Sequence, residues 1–176
     1  KDENVKEIFR ETQSRINSMS LIHEKLYEFN DFSKIDYYDY IKELVSQIVN
    51  TYDSVRKNLD IKIDIDKIYL NIDTAIPLGL IINELITNSI KYAFNKDEKG
   101  EIILSLSKNN DFLTFSVKDN GKGLPQNFNI NNIQSLGLRL VNSLTNQIGG
   151  ELLINNINGV EFIVNFKEII KRNNIQ

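Results

Sequence analysis

The stretch from Pro77 to Phe94 has the pattern of an apolar helix that carries a line of polar side chains. Glu84, Asn88 and Lys91 follow i, i+4, i+7 spacing, so they share one face of such a helix. Most of the remaining surface is apolar, with Leu78, Ile81, Ile82, Leu85, Ile86 and Ile90. Burying a carboxylate, an amide and an ammonium in one line costs free energy unless these groups meet a ligand or each other. The line therefore indicates a fold that is built around a binding site.

Composition excludes several classes of function. The chain has 176 residues and a formal net charge of −3, so no overall basic field favours nucleic acid. It contains no cysteine, which leaves no disulfide framework and no thiolate metal site. No apolar run reaches the ~18 residues of a membrane span, and the charged segment 1–7 does not resemble a signal peptide. We therefore expect a cytoplasmic chain, and membrane attachment of a longer parent protein stays open.

The N-terminal segment, residues 3–29, has a heptad-like seam. Its small or apolar positions alternate gaps of three and four residues, and they are Phe9, Thr12, Ile16, Met19, His23 and Leu26. This pattern predicts a helix that packs on another helix, either within the chain or across a dimer. The alternative is a helix that lies on its own domain.

The remaining pattern alternates few helices with paired strands. Asp36 is expected to cap a helix that runs to about Lys57. Strands are predicted at 61–65, 68–72, 101–107, 112–118, 152–155 and 160–166, and further helices from Pro77 and over 136–148, with a long loop at 120–134. This order favours an α+β fold, namely a two-layer sandwich in which a mixed, largely antiparallel sheet is covered on one face by helices, preceded by the N-terminal helix.

The polar line suits the chemistry of a phosphorylated ligand. Mg²⁺ prefers oxygen ligands and is often held by one or two protein groups plus phosphates, a role open to Asn88. Glu84, one turn away, can polarise or orient an attacking group, and Lys91 is a point charge that suits phosphate oxygens. The simpler alternative is a solvated stripe on a surface helix, although the apolar flanks leave only a narrow polar strip.

A glycine-punctuated turn, Asp119-Asn-Gly-Lys-Gly123, follows one of the predicted strands. Asp119 can accept a hydrogen bond from an exocyclic amine, which would select adenine over guanine. Gly121 and Gly123 permit close approach and positive φ, and Gly137 precedes a helix whose N-terminal amides could face phosphate. Such a turn is common by itself. It indicates a binding site only together with its position after the polar helix and its distance from that helix along the chain.

In this order the segments resemble the motifs of the GHKL (Bergerat-type) ATP-binding fold. Segments 83–94, 119–123 and 135–141 resemble its N, G1 and G2 boxes, and 159–162 resembles the motif of its terminal strands, with Val160 where threonine is usual. Residues 15–27 are similar to the second helix of the dimerisation domain in HWE-like sensor histidine kinases. The resemblance implies two parts: a partial dimerisation helix at 1–30 and an ATP-binding catalytic domain at 31–176.

The resemblance also implies a role for each matching residue. Glu84 and Asn88 would be the catalytic residues, with Asn88 as the Mg²⁺ ligand. The residues expected to bind ATP are Asn88, Lys91, Tyr92, Asp119, Gly121, Gly123 and Gly137. Among these, Lys91 would contact phosphate, Tyr92 would flank the nucleotide and Asp119 would accept from the adenine amine.

The function that the resemblance implies is the ATP-binding core of a two-component sensor histidine kinase. The γ-phosphoryl of ATP would pass to a histidine outside these residues and then to an aspartate of a response regulator, and the full protein would dimerise through the N-terminal helix. The single histidine, His23, is expected to be a packing residue, with a phosphoacceptor role as the alternative. Two other functions stay open: a serine kinase of the anti-sigma type, and a degenerate ATP-binding module that only mediates interaction.

Overall fold

The computed structural model describes residues 2–28, 35–52, 58–95, 98–125, 128 and 135–168, with side chains of the first helix described over 5–25. The elements in chain order are α1 (Asp2–Glu28), β1 (Ile35–Asp36), α2 (Tyr37–Tyr52), β2 (Leu59–Ile65), β3 (Tyr69–Leu70), α3 (Ile72–Asn88), β4 (Gly100–Asn109), β5 (Phe112–Asp119), α4 (Leu136–Gln147), β6 (Glu151–Asn155) and β7 (Val160–Lys167). No helix in these ranges is long and apolar enough to cross a membrane.

Five strands form one mixed sheet in the order β2-β4-β5-β7-β6. Strands β2 and β4 pair in parallel, and the other three pairs are antiparallel. Alternate residues of β4, β5 and β7 are buried, because successive side chains of a strand point to opposite faces of the sheet. Helices α3 and α4 contact the sheet and each other. The predicted α+β sandwich with a largely antiparallel sheet is therefore confirmed.

The third helix, α3, begins earlier than the sequence predicted. Asn71 caps it through a hydrogen bond from the Thr74 amide to Asn71 Oδ1 (3.0 Å), so the helix starts at Ile72. The expected strand at 68–72 shortens to Tyr69–Leu70, and Pro77 lies inside the helix instead of at its start. The placement of the start at Pro77 was wrong because a capping asparagine, rather than the proline, fixes the first turn.

The same helix changes its geometry at its C-terminal end. Residues Ser89–Ala93 continue α3 as one turn of π-helix, which is a rare conformation that occurs frequently at functional sites. In a π-helix each residue advances less around the axis than in an α-helix, so the side chains after Asn88 are rotated from the positions that 3.6 periodicity predicts.

The first helix, α1, packs on α3 and α2. Its buried face consists of Ser14, Ser18, Leu21 and Ile22. The predicted seam faces away from this contact, because Phe9 is 71% exposed and Ile16 is 57% exposed. His23 is exposed as well, and the side chain of Leu26 lies outside the described residues. The helix thus packs on its own chain through a different face, and the described residues of the seam are exposed.

The other elements lie close to their predicted bounds. Asp36 caps α2 by accepting from the amides of Tyr38 (3.2 Å) and Asp39 (3.4 Å). The hairpin between β4 and β5 turns at Asn110, which has a φ of 54°. The expected helical extension to Lys57, most of the 120–134 loop and the C-terminal tail lie outside the described residues.

Candidate functional site

A pocket of about 480 Å³ opens between α3, α4 and the ends of β5 and β7. Six of the residues predicted to form the site line this pocket: Glu84, Asn88, Tyr92, Asp119, Gly123 and Gly137. The other two, Lys91 and Gly121, do not line it within the described part of the chain. The N-terminal helix also takes part, because Glu11 and Arg15 belong to the pocket wall.

Asp119 is a buried charged group on the wall of the pocket and is 4% exposed. The Ser89 hydroxyl donates to Oδ2 (2.8 Å), and the amides of Gly121 (3.0 Å) and Val160 (3.3 Å) donate to Oδ1. These three donors come from the π-helical turn, the glycine turn and β7, so they fix the carboxylate from three directions. An ionised carboxylate has about four acceptor positions, which leaves room for a ligand donor.

Glycine is required at two places around Asp119. Gly121 lies so close to the π-helical turn that a Cβ there would be 2.3 Å from the Ala93 carbonyl oxygen. Gly159 has a φ of 107°, and a Cβ there would be 1.9 Å from the backbone oxygen of Asp119. Gly121 therefore contributes by close backbone packing behind the pocket, and its predicted contact with a ligand stays a prediction.

Glu84 is paired with an arginine of α1. Nε of Arg15 donates to Oε1 (2.7 Å) and Nη2 donates to Oε2 (2.9 Å), which is a two-pronged ion pair. The hydrogen bond to Glu84 raises the pKa of the Arg15 guanidinium above its ordinary value. Glu84 is 5% exposed, so this partner supplies the charge compensation that a buried carboxylate needs.

Lys91 also points to α1. Its Nζ lies 2.7 Å from a carboxylate oxygen of Glu7 and is hydrogen-bonded to Glu11. Burial alone would lower the pKa of Lys91, but the hydrogen bonds to Glu11 and Glu7 outweigh it and raise that pKa. In this structure the ammonium thus serves the contact between α1 and α3, and its predicted contact with phosphate stays a prediction.

The start of α4 approaches Glu84 and Asn88 closely. A Cβ on residue 137 would lie 2.6 Å from Oε2 of Glu84 and 3.9 Å from Nδ2 of Asn88. Gly137 thereby lets the first turn of α4 close over the polar line of α3. Backbone amides at such a helix start are suited to anions, so this end of the pocket is fit for phosphate.

The pocket also fits a magnesium ion that relies on its nucleotide for most ligands. Asn88 is partly buried on the pocket wall and offers an amide oxygen. Across the described ranges no group of three or more histidine, cysteine, aspartate or glutamate side chains could hold a metal. Mg²⁺ is commonly bound by one or two protein groups plus phosphates, and the role of Asn88 as such a ligand stays a prediction.

Sequence reasoning missed the contribution of α1 to the site. Glu7, Glu11 and Arg15 recur every four residues on α1, with charges that are negative, negative and positive. Along α3 in the antiparallel direction, Lys91 has the charge opposite to that of Glu7 and Glu11, and Glu84 has the charge opposite to that of Arg15. Ser14 adds a hydrogen bond from its Oγ to Oδ1 of Asn83 (2.6 Å). This complementary charge pattern could have revealed the contact, but the apolar seam on another face of α1 drew the interpretation away from it.

Two family models match the chain. Residues 73–169 match the model of the histidine kinase-, DNA gyrase B- and HSP90-like ATPases. Residues 1–52 match a second model that is described as histidine kinase. Together they confirm the resemblance that the motifs indicated.

Curated relatives of the chain include histidine kinases. The sensor histidine kinase PdtaS of Mycolicibacterium smegmatis is 29% identical over 157 residues, which is 86% of this chain and 30% of that protein. The blue-light-activated histidine kinase 2 of Erythrobacter litoralis is 29% identical over 109 residues, which is 61% of this chain and 31% of that protein. The chain thus spans less than a third of the length of these relatives.

Solved structures share the fold. The histidine kinase domain of the Erythrobacter litoralis blue-light-activated kinase EL346 superposes with a TM-score of 0.81 at 22% identity, over 90% of this chain and 75% of that one. A histidine kinase of Acinetobacter baumannii, AdeS, superposes with a TM-score of 0.61 at 15% identity, over 88% of this chain and 77% of that one. At these identities the likeness concerns the fold.

Proposed function

Because this chain belongs to the histidine kinase-, DNA gyrase B- and HSP90-like ATPase family, we propose that it is the ATP-binding catalytic core of a two-component sensor histidine kinase. Residues 1–30 would be part of the dimerisation domain and residues 31–176 the catalytic domain. The γ-phosphoryl of ATP would pass to a histidine beyond these 176 residues and then to an aspartate of a response regulator. The observation that carries this proposal is that Glu84, Asn88 and Asp119 line the same pocket.

Asp119 is proposed to select adenine. The carboxylate is buried and held by the Ser89 hydroxyl and the amides of Gly121 and Val160. A fixed carboxylate can accept from the exocyclic amine of adenine, whereas the carbonyl oxygen of guanine at that position would oppose it with another acceptor. Tyr92, which is 58% exposed at the pocket edge, would flank the nucleotide.

The phosphates are proposed to lie between Asn88 and the first turn of α4. The close approach of Gly137 to the polar line supports this position. Asn88 would hold Mg²⁺, which would neutralise charge on the phosphates and so assist transfer of the γ-phosphoryl group. Glu84, one turn from Asn88, would orient or accept the proton of the attacking histidine.

The exposed seam of α1 is proposed to be a dimerisation surface in the full protein. Phe9, Ile16 and Met19 are exposed along one side of α1, and Val5 and Ile8 extend this apolar strip. A long helix with one such strip commonly packs against other helices. His23 lies on the same helix and is exposed, so we propose that it packs in that assembly and does not accept phosphate.

The serine kinase alternative is less well supported. Residues 1–52 match a histidine kinase model, and a serine kinase of the anti-sigma type has no need of this helical segment. The degenerate module is disfavoured by the buried Asp119, whose three hydrogen-bond donors leave an acceptor position for a ligand, since a lost site has no reason to keep a carboxylate in its interior.

Nucleotide titration tests the proposal. Isothermal titration with a non-hydrolysable ATP analogue should give binding that weakens when Mg²⁺ is removed. Asp119→Asn should reduce the affinity at least about tenfold, because the side-chain NH₂ group of asparagine would place a donor against the adenine amine, which is itself a donor. The matched control is Asp111→Asn, in the exposed β4–β5 turn, which should bind like the parent chain. Absence of binding by the parent chain with Mg²⁺ present would favour the degenerate module.

A second experiment addresses the acceptor. Incubation of the chain with ATP labelled on the γ-phosphate should leave no stable label on it. Label on the isolated chain that is lost in His23→Ala would make His23 the acceptor. Acid-stable label on serine of a partner protein would support the serine kinase.

A further inference from the structure

Arg15 is the positively charged residue that α1 contributes to the wall of the proposed ATP pocket, at the end proposed for the phosphates. Its Nη2 donates to Oε2 of Glu84 at 2.9 Å, and its side chain belongs to the pocket wall. The same oxygen, Oε2, is the atom that a Cβ on residue 137 would approach to 2.6 Å. Arg15, Glu84 and the first turn of α4 therefore meet at one point.

The charges around the pocket leave few cations for a polyphosphate. The charged side chains on the described part of the wall are Glu11, Arg15, Glu84, Asp119 and Lys122. Three of them are negative, so a nucleotide that brings several more negative charges depends on the two positive ones. Lys91 is directed to Glu7 and Glu11 instead.

Of the two cations, Arg15 lies at the phosphate end. Lys122 belongs to the glycine turn behind Asp119, and its amide donates to the Ala93 carbonyl at 2.9 Å. Arg15 lies against Glu84, which is one helical turn from Asn88 on the same face of α3. A guanidinium is also better shaped than an ammonium for two-pronged contact with phosphate.

We propose that Arg15 contacts the terminal phosphate of the nucleoside triphosphate bound in this pocket. The guanidinium has five N–H groups, and the ion pair with Glu84 uses one from Nε and one from Nη2. Arg15 can therefore keep part of its bond to Glu84 while other N–H groups bind phosphate. The proposal rests on the proposed function, and it makes the dimerisation helix part of the ATP site.

The test compares ATP and ADP, because only ATP has the γ-phosphate, which is the terminal phosphate of the triphosphate. Affinities of both nucleotides with Mg²⁺ are measured for the parent chain, Arg15→Gln and Arg15→Lys. Arg15→Gln should weaken ATP about tenfold or more and ADP less than about threefold, and Arg15→Lys should be intermediate. The matched control is Arg10→Gln, since Arg10 lies on the same helix, pairs with Glu7 and does not line the pocket.

A second set of variants separates phosphate contact from the unpaired charge that Arg15→Gln leaves on Glu84. Glu84→Gln keeps Arg15 and should keep the preference for ATP. Arg15→Gln/Glu84→Gln leaves no unpaired carboxylate and should still lose that preference. If the double variant regains the parent preference, Arg15 acts only by neutralising Glu84 and the proposal is wrong. Thermal unfolding of each variant identifies any loss that comes from misfolding, and the double variant serves if Arg15→Gln does not fold.

Failure of this proposal and failure of the proposed function give different results. If the parent chain binds neither nucleotide, the ATP-binding function fails. If the parent chain binds both, but Arg15→Gln and the double variant weaken ATP and ADP equally or not at all, only the contact between Arg15 and the terminal phosphate is refuted.

Discussion

The hydroxyl of Ser89 donates to Oδ2 of Asp119 over 2.8 Å and joins the π-helical turn to the end of β5. Both residues are buried, so water cannot take the place of either hydrogen-bonding partner unless the structure opens. The irregular turn that ends α3 is therefore part of the mechanism that orients the proposed adenine acceptor.

Ser89→Ala should weaken binding of ATP about three- to tenfold, because Asp119 loses the donor that fixes Oδ2. The same change should lower the free energy of unfolding by about 0.5–1.5 kcal/mol. Titration with an ATP analogue and urea denaturation measure the two effects. Ser107→Ala, at an exposed position of β4, is the control and should leave both unchanged. An unchanged affinity in Ser89→Ala would mean that Ser89 does not orient Asp119.

Gly137→Ala should weaken binding of ATP while the fold stays stable. The added methyl group would lie 2.6 Å from Oε2 of Glu84, so either the carboxylate or the first turn of α4 must move. Alanine is a better helix former than glycine, so the helix itself loses nothing.

The control for this change is Gly149→Ala, which has a φ of 65° and no atom within 4 Å of the added Cβ. It should cost about 1 kcal/mol of stability through backbone strain and leave the ATP affinity unchanged. Equal affinity of Gly137→Ala and the parent chain would contradict a phosphate position at the start of α4.

Gly159→Ala should be among the most damaging single changes in the chain. It combines a φ of 107° with a Cβ that would lie 1.9 Å from the backbone oxygen of Asp119. We expect a loss of more than about 3 kcal/mol of unfolding free energy. Urea denaturation followed by circular dichroism measures it. A loss below about 1 kcal/mol would contradict the prediction and show that β7 can shift at little cost in free energy.

Stability should fall as the pH rises above about 10, where tyrosine ionises in an unfolded chain. Burial raises the pKa of Tyr37 and of Tyr40 in the folded state. Groups whose folded-state pKa is raised add stability that is fully present below the unfolded value and is lost as pH climbs towards the folded value. Between pH 7 and 9 these two residues should therefore contribute no slope.

Tyr40→Phe tests the alkaline effect. Its hydroxyl donates to the backbone oxygen of Ser18 at 3.3 Å, so the variant should lose about 1 kcal/mol at pH 7. Above pH 10 the stability of the variant should fall less steeply than that of the parent chain. Parallel curves from pH 9 to 11 would count against ionisation of Tyr40 as a cause.

The strands of the five-stranded sheet were predictable because their side chains alternate, and the hairpin at Asn110 was predictable because polar turn residues separate two such runs. The start of α3 was not, because Asn71 and Pro77 are both plausible start signals and local sequence alone does not rank them. The π-helical turn at 89–93 carries no periodic signature, since five residues are too few to define a period.

The buried face of α1 could not be found from hydrophobicity. Ser14 and Ser18 are small enough to let α1 lie close to its neighbours, and they are buried, whereas Phe9 and Ile16 are exposed. The polar line of α3 was correctly recognised as needing partners. That Glu84 finds one in Arg15, 69 positions earlier, depends on how two helices that are distant in sequence pack together.

The pairing of α1 with α3 has a consequence for how such a protein is divided in the laboratory. A fragment that starts after residue 30 would retain every motif of the ATP-binding fold, yet it would lack the counter-ions of Glu84 and Lys91. Its carboxylate would repel an incoming triphosphate and its ammonium would be released to find a new anion. Affinities measured on that shortened piece would describe a differently charged cavity, so the border between the two proposed domains passes through the proposed nucleotide site.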